Sequence, residues 1–203
     1  MSEIICITNR LLCYEPIIDR IKAVVSAHPD RVILREKDLN EYEYKRLAEE
    51  LTALCSEKNV QITLHSYYRT AYELGVKSIH MPIHLLKNMT AEEKSFFEEI
   101  GTSCHSVEDA LQAQRLGASY IIAGHIFETD CKAGLPGRGL EFIYKVKKSV
   151  GIPVYAIGGI SAENASDVIS AGADGICIMS GFMKSNDPSG FVSALREVKQ
   201  NNE

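Results

Sequence analysis

The sequence lacks the features that mark membrane-spanning, secreted and nucleic-acid-binding proteins. No apolar run approaches the about 18 residues needed to cross a bilayer, and the start MSEIICITNR does not have the form of a signal peptide. Lys and Arg number 22 against 27 Asp and Glu, a net charge of −5 without a basic block. Such a chain offers no electrostatic surface for nucleic acid or an anionic membrane. We therefore predict a cytoplasmic protein that binds neither.

Paired cysteines and metal-binding spacings are also lacking. The six cysteines are Cys6, Cys13, Cys55, Cys104, Cys131 and Cys177, and none forms a Cys-x-x-Cys pair. A chain of 203 residues needs no disulfide to hold a core. Several cysteines lie in apolar runs, where a free cysteine packs as a small hydrophobic residue. We predict reduced thiols, and the sequence has no zinc or EF-hand pattern.

Short β-branched runs alternate with longer segments of helical period. The predicted strands are residues 4–8, 31–35, 61–64, 78–81, 101–104, 120–123, 154–157 and 175–179. The predicted helices are residues 15–27, 40–58, 68–74, 91–99, 106–116, 140–150, 162–171 and 188–201. In the second helix, Tyr44, Leu47, Leu51 and Leu54 recur at the three- and four-residue spacing of one buried stripe.

Eight such units of about 25 residues predict a single (β/α)8 TIM barrel, one α/β domain over residues 1–203. A doubly wound open sheet is the alternative. It ordinarily has fewer strands and an early glycine-rich phosphate turn, and the sequence contains neither G-x-G-x-x-G nor a Walker A motif. Barrels of this size often self-associate, so a homo-oligomer is compatible with the sequence.

In this fold the active site lies at the carboxyl ends of the strands. Gly158 and Gly159 follow the seventh strand, and Met179, Ser180 and Gly181 follow the eighth. Small residues at these two turns let backbone N–H groups approach an anion, so we predict a phosphate site there. The alternative is that the two glycines only turn the chain.

The segment 124–139, after the sixth strand, is a long glycine-rich loop of the kind that covers a substrate. His125 opens it at a strand end, either as an acid–base group or as a loop histidine bonded to a backbone carbonyl. His65 and His105 also end strands and could line the pocket. His80, inside the fourth strand, is interpreted as a satisfied core residue.

Five motifs at strand ends resemble the thiamine phosphate synthase superfamily over nearly the whole chain. They are Leu34-Arg-Glu-Lys, Gly101-Thr-Ser-Cys-His-Ser, Ala123-Gly-His-Ile-Phe-Glu-Thr-Asp-Cys-Lys, Ala156-Ile-Gly-Gly-Ile and Gly172-Ala-Asp-Gly-Ile. In the synthases of this superfamily two aspartates hold magnesium. This chain has His65-Ser66 and His80-Met-Pro-Ile-His-Leu at those places, so both carboxylates are absent.

His125 and Cys131 match the thiazole tautomerase (TenI-like) branch, which also lacks the paired aspartates. This closer resemblance implies a tautomerase that aromatises a carboxythiazole phosphate, with a small phosphorylated thiazole as substrate and no metal or other cofactor. It implies His125 as the acid–base residue. The substrate-binding candidates are Arg35, Lys37, Ser103, Cys131, Lys132, Gly159, Met179, Ser180 and Gly181. Alternation along the second strand could direct Lys37 elsewhere.

Two alternatives to a tautomerase stay open. The first is a thiamine phosphate synthase, which couples hydroxymethylpyrimidine pyrophosphate to thiazole phosphate. It would need metal ligands from elsewhere, such as Glu36 or Glu128. The second is a non-catalytic regulatory protein that binds thiazole phosphate.

Overall fold

Strands and helices alternate along the chain in the computed structural model, which describes residues 2–129, 132 and 134–200. The strands are β1 (Glu3–Ile7), β2 (Arg31–Leu34), β3 (Gln61–His65), β4 (Ser78–Met81), β5 (Glu99–Cys104), β6 (Tyr120–Gly124), β7 (Val154–Ile157) and β8 (Gly175–Ile178). The helices are α1 (Ile17–Ser26), α2 (Glu41–Glu57), α3 (Tyr68–Glu73), α4 (Ile83–Leu86), α5 (Ala91–Ser95), α6 (Val107–Arg115), α7 (Gly139–Ser149), α8 (Ala165–Ser170), α9 (Ser180–Lys184) and α10 (Pro188–Gln200). A 3-10 helix, Arg10–Leu12, follows β1.

The eight strands form a closed parallel barrel in chain order. β1 pairs with β2 on one side, where Cys6 lies opposite Val32, and with β8 on the other, where Cys6 lies opposite Ile178. An open sheet would leave β1 and β8 apart, so this pairing excludes the doubly wound alternative. The predicted (β/α)8 TIM barrel is confirmed.

Side chains alternate in direction along each strand, and five of the eight strands supply two hydrophobic layers in this way. In β1, Ile4 and Cys6 belong to the layer between the barrel and the helices. Ile5 and Ile7 belong to the cluster inside the barrel, together with Tyr120 and other residues of β2, β6, β7 and β8. The outward faces of all eight strands are apolar, as strands covered by helices require. On the inside, β3, β4 and β5 contribute polar side chains such as Thr63, His80 and Ser103.

Helix α2 shows how the predicted helical stripe is used. Tyr44 and Leu51 are fully buried, and Leu47 and Leu54 are partly buried against the same core. Asn40 begins the helix, because its side-chain oxygen accepts a hydrogen bond from the Glu43 N–H at 3.0 Å. The predicted stripe is confirmed.

The element boundaries differ from the predictions mainly where segments are short. The helix predicted over residues 91–99 ends at Ser95, and Glu99 already begins β5. The helices α4 and α9 have four and five residues, too few for a periodic pattern, and the sequence does not predict them.

A buried arginine fills the amino-terminal end of the barrel. Arg31 is 1% exposed, and its Nη1 lies 2.9 Å from the Glu99 carboxylate. Its Nη2 lies 3.5 Å from Glu3, and the guanidinium stacks on the Tyr120 ring at 5.0 Å. Tyr155 donates a hydrogen bond to Glu3 at 2.7 Å. The described side chains therefore close the amino end of the barrel interior, and the carboxyl end of the strands is left for a ligand.

Among the described residues, no helix is long and apolar enough to cross a membrane. The described cysteines are free, in agreement with the prediction of reduced thiols; they are Cys6, Cys13, Cys55, Cys104 and Cys177. Cys131 lies outside the described residues.

Candidate active site

A cavity of about 470 Å³ opens at the carboxyl ends of the strands. Most of the predicted substrate-binding residues line it: Arg35, Lys37, Ser103, Lys132, Gly159, Met179 and Ser180, and so does His125. Gly181 does not line it, because it lies in α9 against Phe191, whose ring is 2.7 Å from where a Cβ on Gly181 would lie. Cys131 lies outside the described residues, so its predicted contact with the substrate stays a prediction.

Three cations meet on one wall of the cavity. Arg35 and Lys37 follow β2, and Lys132 reaches the same wall from the loop after β6. Burial and the positive charges of Arg35 and Lys132 lower the pKa of Lys37 below its ordinary value. Burial makes the largest contribution to this shift, and the two neighbouring cations add to it. A bound anion would offset their repulsion.

A glycine turn after β7 forms another part of the wall. Gly158 has φ 108° and Gly159 has φ 65°, both in the left-handed region. A Cβ on Gly158 would lie 2.6 Å from the Cβ of His125, and a Cβ on Gly159 would lie 2.5 Å from the carbonyl oxygen of Glu128. Only glycine fits at both positions, because the turn packs directly on the loop after β6.

His125 anchors that loop through one ring nitrogen. Its Nε2 donates a hydrogen bond to the carbonyl oxygen of Pro136 at 3.0 Å. The ring is 6% exposed, and its Nδ1 is buried without a hydrogen-bond partner among the described residues. The hydrogen bonds of this ring among the described residues are therefore those that Nε2 donates to the loop backbone.

Further contacts fasten the same loop to the barrel. The Nδ1–H of His105 and the Nε–H of Arg138 both donate to the Gly124 carbonyl, at 2.9 and 3.1 Å. The backbone N–H of Arg138 donates to the His125 carbonyl at 3.0 Å. The described parts of the loop are therefore held against the rim of the cavity at its beginning and at its end.

Two stacked histidines line the cavity between β3 and β4. The rings of His65 and His80 are 5.6 Å apart. Burial, together with the charges of Arg35 and Lys37, lowers the pKa of His65 to about 3. Burial and then the neighbouring His65 lower the pKa of His80 well below its ordinary value. Both rings are therefore uncharged at neutral pH.

The sequence does not identify His80 as a pocket residue, although strand alternation offers a signal. His80 pairs in register with Gly101 of β5, and its Nε2 lies 2.9 Å from the hydroxyl of Ser103, two residues further along that strand. Residues separated by two share one face of a strand. The His80 side chain is therefore both hydrogen-bonded in the core and part of the cavity wall. His84 of α4 also lines the cavity.

The described residues do not fit the magnesium that the resemblance implies for synthases. The described lining contains no Asp or Glu. Glu36 is 3% exposed and accepts hydrogen bonds from the Arg10 backbone N–H at 3.0 and 3.1 Å. Glu128 is exposed and outside the lining. No group of three His, Cys, Asp or Glu side chains in the described parts of the chain could hold a metal ion.

Comparison with known proteins gives a consistent result. A family model described as thiamine monophosphate synthase matches residues 4–182. A thiamine-phosphate synthase of Clostridium acetobutylicum is 32% identical over 194 residues, 93% of this chain and 88% of the relative. That of Pyrococcus abyssi is 29% identical over 192 residues, 95% and 92% of the two chains. The solved thiamine phosphate pyrophosphorylase from Pyrococcus furiosus has TM-score 0.84 at 28% identity, with 98% of this chain and 96% of the other covered.

These similarities contradict the thiazole tautomerase function expected from the sequence, since the relatives are thiamine-phosphate synthases over most of their length. The tautomerase prediction is wrong, and with it the isomerase class. It depended on His125, on Cys131 and on the absence of two aspartates. The structure shows the Nε2 of His125 bonded to the Pro136 carbonyl, and a proton-transfer role for this residue stays a prediction.

Proposed function

The chain belongs to the thiamine monophosphate synthase family, and on this basis we propose that it joins a hydroxymethylpyrimidine diphosphate to a thiazole phosphate. It is an enzyme of thiamine biosynthesis, and its family acts on phosphorylated substrates. The products of the proposed reaction are thiamine phosphate and inorganic diphosphate.

The observation that carries this proposal is one cavity with two different walls for anions. The glycine turn at Gly158 and Gly159, near Ser180, suits a terminal phosphate because backbone N–H groups can approach it closely. The wall of Arg35, Lys37 and Lys132 suits a more highly charged group. A reaction between a monophosphate and a diphosphate needs both sites within reach of one another.

The chemistry requires positioning and charge stabilisation. The thiazole nitrogen attacks the methylene carbon of the pyrimidine, a C–N bond forms, and the C–O bond to the diphosphate breaks. The diphosphate leaves with the electron pair, and no proton is released. Fixed cations beside the leaving oxygens stabilise the negative charge that develops there. In this chain Arg35, Lys37 and Lys132 occupy that role.

The neutral histidines suit the rings of the substrates. His65 stays uncharged because its pKa is about 3, so its imidazole adds no positive charge beside the cationic wall. Burial and the neighbouring His65 likewise hold the pKa of His80 well below its ordinary value. The two stacked rings therefore present an uncharged surface to the flat rings of the substrates.

The proposal is tested by mixing the purified protein with both substrates and measuring thiamine phosphate by chromatography, once with EDTA and once with MgCl2. We expect product in at least one condition. Lys37→Gln should lower the rate about tenfold or more, whereas Lys22→Gln, an exposed lysine of α1, should not. Absence of product in both conditions would overturn the proposal, and substrate binding without turnover would instead support a regulatory protein.

A further inference from the structure

We propose that the diphosphate site of this protein works without a divalent cation and binds free diphosphate more tightly than magnesium diphosphate. This inference deepens the proposed coupling reaction and rests on it for the identity of the anion. Three observations support it: the contacts of the charged side chains after β2, the histidines at the ends of β3 and β4, and the positive potential of the cavity wall.

The basic and acidic side chains after β2 lie in different places. Arg35 and Lys37 line the cavity, whereas the two acids that alternate with them, Glu36 and Asp38, turn to Arg10. The guanidinium of Arg10 lies 2.6 and 2.7 Å from the two oxygens of Asp38, and 3.4 Å from Glu36. The two carboxylates adjacent in sequence to Arg35 and Lys37 are therefore paired with another arginine, outside the described lining of the cavity.

The ends of β3 and β4 contribute imidazoles. Magnesium requires oxygen ligands in near-octahedral geometry, and carboxylates usually supply them. Here the Nδ1 of His65 lies 2.8 Å from the Ser66 hydroxyl, and the Nε2 of His80 lies 2.9 Å from the Ser103 hydroxyl. Neutral rings that are already hydrogen-bonded and stacked on each other do not converge on a common metal position.

The cationic wall already carries the charge that a metal would add. The lowered pKa of Lys37, caused by burial and then by Arg35 and Lys132, shows that a further positive charge is unfavourable there. A free diphosphate brings only negative charge to this wall. A magnesium diphosphate brings a divalent cation that no carboxylate of the described lining can hold, and it presents less negative charge to the three fixed cations.

The test is isothermal titration calorimetry of the full chain with inorganic diphosphate, first with EDTA and then with excess MgCl2. We expect binding in EDTA and at least a threefold weaker apparent affinity with MgCl2. In EDTA, Lys37→Gln should bind diphosphate about tenfold more weakly than the wild type. Lys22→Gln removes an exposed lysine that pairs with Asp19, and it should leave the affinity unchanged. Circular dichroism verifies that both variants fold.

Binding that requires MgCl2, or that MgCl2 strengthens, would overturn this inference, and so would an unchanged affinity of Lys37→Gln. The coupling assay separates this failure from failure of the proposed function. Diphosphate binding in EDTA without any thiamine phosphate formation would contradict the proposed reaction and support the metal-free anion site. Magnesium-dependent coupling would contradict the metal-free site and support the proposed reaction.

Discussion

His65 shows how a single residue links the charge of the cavity to the stability of the fold. It is 8% exposed and lies near Arg35 and Lys37, so its ring can be accommodated only in the neutral form. In the unfolded chain the same ring has a pKa of about 6.5. His65 therefore keeps its part of the cavity uncharged. As a consequence, the free energy of unfolding falls in acid.

We predict that His65→Gln makes the protein less sensitive to acid. Because the folded pKa of about 3 is below the unfolded value, the unfolded chain binds more protons between these limits, and stability falls as the pH falls through that range. From neutral pH to about pH 5, this one ring should cost about 2 kcal/mol. Urea unfolding at both pH values should show a smaller loss for the variant. The same comparison at about pH 8 is the control, because there the variant differs only by its lost packing and its lost bond to Ser66. If the free energies of unfolding of the two proteins fell in parallel with pH, the prediction would be wrong.

Residue positions are predictable within a strand, where side chains alternate, and less so beyond its end. Arg35 and Lys37 lie after β2 ends at Leu34, and both line the cavity. The alternation that could direct Lys37 elsewhere therefore does not extend to it. The hydrogen bond from His125 goes to the Pro136 carbonyl, which only the folded loop brings to 3.0 Å. No local pattern in the sequence contains that contact.

Among the elements, the turn after β7 is the one whose sequence the site constrains most directly. Two glycines at positive φ predict a turn, but the sequence alone does not say why both are needed. The structure gives the reason, because the turn packs on His125 and Glu128 of the loop after β6. The sequence also does not predict the short helices α4 and α9, because their formation depends on contacts with distant parts of the chain. Tertiary contacts of the barrel rim stabilise them, and no periodic pattern predicts them.

We predict that Gly158→Ala destabilises the protein by about 3 kcal/mol, and Gly117→Ala by only about 1 kcal/mol. Both glycines have positive φ, 108° and 87°, so both variants carry backbone strain. Only Gly158 has a neighbour in the way, the Cβ of His125 at 2.6 Å, whereas a Cβ on Gly117 meets nothing within 4 Å. Chemical denaturation of the two variants measures the difference. Equal losses would show that φ alone, and not the close approach to His125, requires glycine.

At the scale of the whole molecule, the architecture is easier to predict than the activity. Eight repeats of strand and helix determine a closed barrel and place the cavity at one end. The activity prediction gave most weight to two residues, His125 and Cys131, and to two missing aspartates. Similarity to synthases over 93% of the chain contradicts that choice. These local motifs cover only a few residues, and the similarity over nearly the whole chain outweighs them.

The barrel divides its tasks between its two ends, so stability and ligand binding should respond to different arginines and lysines. Arg31 is buried at the amino end between Glu99, 2.9 Å away, and Glu3, 3.5 Å away. Lys37 lies at the opposite end, on the cavity wall. Removal of a buried partner of two carboxylates leaves their charges uncompensated, which costs more than the loss of a surface charge.

We therefore predict that Arg31→Met lowers the free energy of unfolding by about 3 kcal/mol and leaves the affinity for diphosphate within about twofold of the wild type. Lys37→Gln should weaken diphosphate binding and leave the free energy of unfolding nearly unchanged, because it removes a charge from the cationic wall and breaks no buried ion pair. Urea unfolding and calorimetric titration with diphosphate, applied to both variants, give the four values needed. Weakened diphosphate binding by a folded Arg31→Met protein would show that the two ends are coupled. Tyr120 joins them, because its ring lies 5.0 Å from the Arg31 guanidinium and its hydroxyl lies 3.4 Å from Nδ1 of His80.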